Sequence, residues 1–341
     1  MNQAWLPPGA KQAIAGRPAH PIRVREIAAH DLDEVAALLG RGFQRPSDYY
    51  AYALTQLKRH PTPAGCPKFG YLLETPERVV GAILLIFSAF GDAERSQLRC
   101  NVTSWYVEPE YKGYAALFAS RAFQRKDVTY INISARPVAR PIIKAQGFAQ
   151  YSGGQFVALP ALRMTCNVPA KVISIDTEPG VAFDARDRDL LAAHAKFGCV
   201  SVWCMTAERA YPFVFLPRMF KRWMPGAQLI YCRDVNDVVR FAKPIGRYLA
   251  ARGLFLVSID ANGPIPGMIG THLAGKSPRF FKGQACPRIG DLAYTQMAMF
   301  PWPELPHRPA LANFPGGGST AALNSVDSVI APRRPQGRRH L

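Results

Sequence analysis

Between Arg78 and Asp92 lies VVGAILLIFSAF, residues 79–90, the longest uncharged apolar stretch in the chain. It is too short to cross a bilayer, which takes roughly 20 residues as a helix. Thr75-Pro-Glu-Arg78 precedes it as a hairpin signal, after the extended run Phe69–Glu74. A strand apolar at nearly every position has no face to give to water. It predicts a mid-sheet strand with layers packed on both sides.

The flanking periodicities supply the rest of the sheet and its helices. Ile22–Ile27 alternates as a strand with one buried face, and Asp31 is placed to cap a helix. Leu32, Val35, Ala36, Leu38 and Leu39 form one stripe of that helix, with Gly40 and Gly42 as its stop. A second helix is predicted over Ser47–Arg59. Then come a strand at Arg99–Val107, a helix at Tyr111–Lys126, a strand at Tyr130–Ser134, a helix at Pro137–Gln146 and a closing hairpin at Phe148–Leu159. This order predicts an α+β (mixed α/β), mostly antiparallel sheet with helices on both faces.

The second half repeats part of the pattern. Asp184–Phe197 reads as a helix, and Val200–Thr206 and Phe213–Leu216 as extended segments. Ala227–Cys232, Val235–Arg252 and Leu254–Asp260 form a strand-helix-strand unit that mirrors Arg99–Ser134, and Phe280-Phe281 mirrors the Gln155-Phe156 hairpin. The Gly/Pro-rich stretch 261–279 argues against a regular helix there. A length of 341 residues suits about two domains. The expected division is a disordered arm at 1–21, one domain at 22–160, a diverged copy at 161–314 and a disordered basic tail at 315–341.

At 48% hydrophobic and 19% charged residues, disorder throughout is excluded. The N-terminus carries no cationic segment followed by a long apolar block, so a cytoplasmic protein without a membrane span is expected. The seven cysteines include no Cys-x-x-Cys pair, and the seven histidines are scattered. Neither a disulfide framework nor a metal site is expected, and Cys199 and Cys204 are expected to pack as small apolar residues. The net charge of +18 lies on both halves, more on the second. It favours an anionic partner: nucleic acid, a membrane surface, or a phosphorylated cofactor or substrate. A nucleic-acid partner is supported by charge alone. The basic aromatic cluster Arg218, Lys221, Arg222 and Trp223 carries no RNA-binding signature or zinc-finger spacing.

Three passages resemble the GCN5-related N-acetyltransferase (GNAT) superfamily: IRVREIAAHDLDEVAALL at 22–39, VTSWYVEPEYKGYAALFA at 102–119, and YINISARPVARPIIKAQGF at 130–148. The resemblance covers residues 22–160, and the second half looks like a diverged copy, a tandem form known in the superfamily. It implies acyl-CoA-dependent acyl transfer, with acetyl-CoA or another acyl-CoA as co-substrate. The pyrophosphate would lie on the turn Lys112, Gly113, Tyr114 and Ala115, where backbone N–H groups meet a helix's positive end. Val107 would free a backbone N–H for the pantetheine arm. The chain departs from the family pattern at Ala115 and Leu117, which occupy glycine or small-residue places. It departs again at Arg136, where asparagine is frequent, and at Ile143, where a tyrosine often protonates the leaving thiolate.

Acyl transfer to an amine needs a base, an oxyanion donor and an acid. Glu108 and Glu110 are the candidate bases, Ser104 the candidate polarising or positioning group, and Tyr151 the preferred acid among Tyr111, Tyr114 and Tyr151. Arg136, Arg140 and Lys144 share one helical face as a cationic stripe suited to an acidic substrate or the adenosine phosphate. The expected acceptor is a small molecule, anionic if that stripe meets it, and a homodimer is compatible with the reading. The other reading is a catalytically inactive GNAT-fold binding protein for an anionic partner.

Overall fold

A computed structural model describes residues 21–90, 97–163, 168–221 and 223–300. Most of both terminal arms, Cys166 and Arg222 fall outside the described residues. Twelve strands form one sheet: β1 (Arg23–Glu26), β2 (Gly70–Glu74), β3 (Val79–Phe90), β4 (Gln97–Val107), β5 (Val128–Asn132), β6 (Ala149–Ala158), β7 (Lys171–Ser174), β8 (Val200–Met205), β9 (Ala210–Phe220), β10 (Met224–Cys232), β11 (Leu256–Ala261) and β12 (Gly270–Lys282). The helices are α1 (Leu32–Phe43), α2 (Ser47–Arg59), α3 (Ala115–Ala122), α4 (Arg140–Ala145), α5 (Ala185–Lys196), α6 (Val235–Arg240), α7 (Ala242–Ala250) and α8 (Gln296–Met299).

The apolar stretch at 79–90 is the mid-sheet strand its composition demands, buried from Val79 through Ser88. Val79, Ala82, Leu84 and Ile86 pack toward α1 and α2, while Val80, Ile83, Leu85 and Phe87 pack toward α3 and α4. Each large side chain so buried is worth roughly 1.5–3 kcal/mol, which fixes the strand between two helical layers.

Strands lie in the order β1-β2-β3-β4-β5-β12-β6-β11-β10-β9-β8-β7. Only β4/β5 and β10/β11 are parallel; the other pairs are antiparallel. β1–β5 and β7–β11 are therefore two copies of one five-strand pattern. Between them, β12 lies against β5 and β6 lies against β11, so each half is completed by the other half's last strand. β6 and β12 also pair with each other. Because β6 and β12 are both antiparallel to their neighbours, the second half runs opposite to the first. A pseudo-two-fold axis thus stands normal to the sheet between them.

Several elements differ from expectation, each for a local reason. The helix begun at Leu32 runs through Gly40 and Gly42 and stops only at Gln44, which adopts φ +52°. Gly42 is a close-approach glycine: a Cβ there would lie 2.6 Å from the Tyr106 ring. Asp31 turns its carboxylate back onto Ala28 N–H (2.7 Å) and Arg25 (2.6 and 2.8 Å), so it joins β1 to α1 rather than capping the helix. The Arg25 guanidinium holds that carboxyl below the usual carboxylate range. The helix expected over 111–126 is a 3-10 turn at Pro109–Tyr114 followed by the shorter α3. Phe148–Leu159 is one strand, not a hairpin, because its partners are β11 and β12. The helix expected over 235–252 breaks at Phe241, and much of the Gly/Pro-rich stretch is β12. Cys204 lies buried in β8, and Cys199 just before it.

Candidate active site

β4 and β5 pair only from Leu98/Val128 to Asn101/Ile131. Beyond that point β4 continues to Val107 while β5 ends at Asn132, so the two strands part and leave a notch. The cause is a bulge: Tyr106 pairs with Ala82 and Thr103 with Leu84, setting Ser104 and Trp105 against the single residue Ile83. Ser104 takes φ +50° there. An extra residue on one strand bends it and turns its edge out of the ladder.

The β4 edge facing this notch has no backbone partner among the described residues. Directly after it, the 3-10 turn carries Lys112 and Gly113 exposed and leads into α3. Ala115 N–H bonds Lys112 O, and Tyr114 packs partly against the core. A Cβ on Gly113 would meet nothing within 4 Å, so the turn opens onto free space. Leu117 is 55% exposed and does not close that space by packing inward. Val107 stands opposite Gly81 in the register with β3 and packs toward the α3 layer. A free strand edge followed by an open turn at a helix start fits the extended amide arm and diphosphate of an acyl-CoA.

The notch in the second half has a different outcome. β10 and β11 pair from Gly226/Leu256 to Gln228/Ser258 and then part, with a bulge at Ile230. Here the chain itself lies on the freed edge: Cys232 N–H donates to Gly290 O (2.9 Å), and Leu292 N–H donates to Ile230 O (2.7 Å). Gly290, at φ +83°, passes so close that a Cβ would lie 2.7 Å from Cys232 Sγ. The segment then crosses toward the first half. Tyr294 stands between His194 and His60, at ring distances of 4.8 and 5.4 Å, and Gln296 N–H bonds Asn101 Oδ1 at 2.8 Å.

The face of the first notch toward α1 and α2 is aromatic and basic. Arg136, expected on a helical stripe with Arg140 and Lys144, instead precedes α4, with its guanidinium 5.2 Å from the Phe43 ring centre. Phe43 lies 6.2 Å from Tyr50, Tyr50 lies 4.9 Å from Tyr49, and Arg45 stands 5.2 Å from Tyr49. Burial pushes the Tyr50 phenol up to about 12, against the pull of a hydrogen bond with Ser104 and the charges of Arg45 and Arg136. Tyr50 is the site residue that sequence reasoning missed. Its only sequence signal is its place on the buried stripe of α2, which marks an aromatic core residue equally well.

The structure brings Ser104, Val107, Glu108 and the Lys112–Ala115 turn together on one strand-turn-helix unit. Glu108 is paired with Arg78 at 2.5 Å and lies 3.9 Å from Arg41, while Glu110 is exposed. Tyr151 is elsewhere. It sits on β6, three strands from β4 and so roughly 14 Å away at ~4.8 Å per strand. Its buried hydroxyl, near the buried Arg279–Asp260 pair, has no hydrogen-bond partner among the described residues.

No protein-family model matches this sequence, and no curated protein matches it. Among solved structures, it is similar to a GCN5-related N-acetyltransferase from Anabaena variabilis ATCC 29413, with a TM-score of 0.50 and 9% identity over 76% of this chain and 72% of that one. A putative acetyltransferase from Pyrococcus horikoshii is also similar, at TM-score 0.49 and 14% identity over 80% of this chain and 93% of that one. The architecture is the GNAT fold. Within it, a parallel pair of strands parts at a bulge in each half, and the described residues fill one of the two notches and leave the other open.

Proposed function

We propose that this protein is an acyl-CoA-dependent acyltransferase, an N-acetyltransferase in the simplest case, working at the β4/β5 notch on a small-molecule acceptor. The observation that carries the reading is the free β4 edge beyond Asn101, running into an open turn at Gly113. Its counterpart in the second half is filled by residues 290–292. The pantetheine arm lies along β4 near Val107, with the diphosphate on Lys112, Gly113, Tyr114 and Ala115. The acceptor enters from the α1–α2 side, where Ser104 and Tyr50 meet it. An acyl-CoA co-substrate agrees with the cytoplasmic setting expected from the sequence.

In the reaction, the acceptor nitrogen bonds to the thioester carbonyl carbon, the C–S bond breaks, and the thiolate takes a proton. Glu108, the first carboxylate after β4, is the proposed base, acting through water because Arg78 holds its side chain. Ser104 positions the acceptor. Tyr151 has no part in this reading, since β5 and β12 stand between it and β4.

Calorimetric titration with acetyl-CoA tests the proposal. Saturable binding is expected, and Gly113→Trp should abolish it without loss of folding, because the added ring projects into open space. A binding protein without turnover is the second reading, favoured by the buried Ile143 where the resemblance places the acid. That reading prevails if acetyl-CoA binds but no CoA thiol is released with any acceptor.

A further inference from the structure

We infer that the end of the sheet carrying the β9–β10 hairpin docks on an anionic membrane surface. The hairpin turns between Phe220 and Met224, and β11 starts beside it, with Phe255 N–H donating to Pro225 O at 3.3 Å. Trp223 is 70% exposed in the turn, and Phe255 is 52% exposed on the neighbouring strand. Half-buried Met219, Phe220, Met224, Pro225, Leu254 and Leu256 surround them. The surface is contiguous: a Cβ on Gly226 would lie 2.7 Å from the Phe220 ring and 2.9 Å from Leu256 Cβ. Both faces of the hairpin end are apolar. Met224 stands opposite Phe220 and Pro225 opposite Met219, and successive pairs along a ladder point to opposite faces. A hairpin end built for water would alternate apolar with polar residues there. This one presents aromatic and thioether side chains on both sides of a tryptophan tip, which suits a wedge at a lipid–water boundary.

Charge selects the partner. No Asp or Glu occurs between Arg209 and Arg233 or between Val238 and Ile259, the stretches that supply the hairpin, α7 and the start of β11. Arg218 lies 4.9 Å from the Phe220 ring centre, and Lys221 is exposed in the turn. Arg252, exposed just after α7, lies 3.6 Å from the Tyr248 ring centre. Lys221 and Arg252 form no ion pair among the described residues. Asp176, the carboxylate near Tyr248, accepts the Ser174 hydroxyl at 2.8 Å. Basic side chains ringing an apolar tip attract anionic headgroups while the tip enters the boundary. A second copy of the chain would bring like charges together at this surface. A nucleic acid would stack on the aromatic rings but leave the methionine, proline and leucine surface without a partner.

Sedimentation of the full chain with vesicles tests the inference, one set of phosphatidylcholine alone and one of equal parts phosphatidylcholine and phosphatidylglycerol. The anionic vesicles should be bound about tenfold or more tightly than the neutral ones, with the difference shrinking as salt rises. The double variant Trp223→Ser/Phe255→Ser should weaken binding to anionic vesicles about tenfold or more, and Lys221→Gln about fivefold. These side chains are exposed, so circular dichroism should report an unchanged fold. Trp223→Phe keeps an aromatic tip and should retain most of the binding, while losing the blue shift of tryptophan emission that accompanies it. Vesicle binding that is absent, indifferent to phosphatidylglycerol or retained by the double variant overturns the inference. So does a single-stranded oligonucleotide bound in place of vesicles, or a dimer that the double variant dissolves, which would give the tip to nucleic acid or to a second copy.

Discussion

His194 is buried in α5 and held from both sides of its ring. Nδ1 lies 2.8 Å from Leu190 O, and Nε2 accepts the Tyr294 N–H at 3.1 Å. Those contacts assign the proton to Nδ1 and leave Nε2 as an acceptor, a neutral tautomer that a second proton would break. Burial pushes the imidazole down to about 4. An unfolded histidine near 6.5 therefore holds a proton that the folded one refuses until pH falls to about 4, and stability drops as pH falls through that window. The unfolding free energy should fall by about 2 kcal/mol between pH 7 and pH 5, read from denaturant midpoints, and His194→Gln should flatten the slope. His60 is also held down by burial and adds in the same direction. Residue roles of this kind were barely legible in the sequence. The letters place His194 near the buried face of its helix, but its partner Tyr294 lies 100 positions away. Tyr50 was missed for the same reason, since its role comes from Ser104 on a distant strand.

Elements were more legible than their ends. The boundaries of β3 and α2 follow from composition alone, because one run has no polar face and the other stops before the Pro61 and Pro63 break. Helix interruption at Phe241 and strand formation over 270–282 were not, because tertiary partners decide both. The segment at 288–293 shows this most clearly: a loop by composition, it acts as a strand because β10 leaves an edge for it. Gly290→Val should expel it, since the new side chain clashes with Cys232 and strains a left-handed backbone. We expect a loss of about 1–3 kcal/mol in unfolding free energy, with hydrogen exchange rising first at the Cys232 and Leu292 amides.

For the whole molecule, the repeated strand-helix-strand order was readable from its spacing. The exchange of β6 and β12 was not, because nothing in a local pattern says which half will receive a strand. The occupied second notch also carries a stoichiometric consequence. Acetyl-CoA titration should saturate at one molecule per chain, whereas two would mean that residues 290–292 yield to the ligand.

The crossed strands also bear on how the protein is made. Asn132 of β5 meets Phe280 of β12, so the first half leaves the ribosome with an edge that stays bare for roughly 150 further residues. At ~5–20 residues per second that wait lasts on the order of ten seconds, long enough for an unpaired strand to find the wrong neighbour. The nascent chain needs shelter until its last strand arrives.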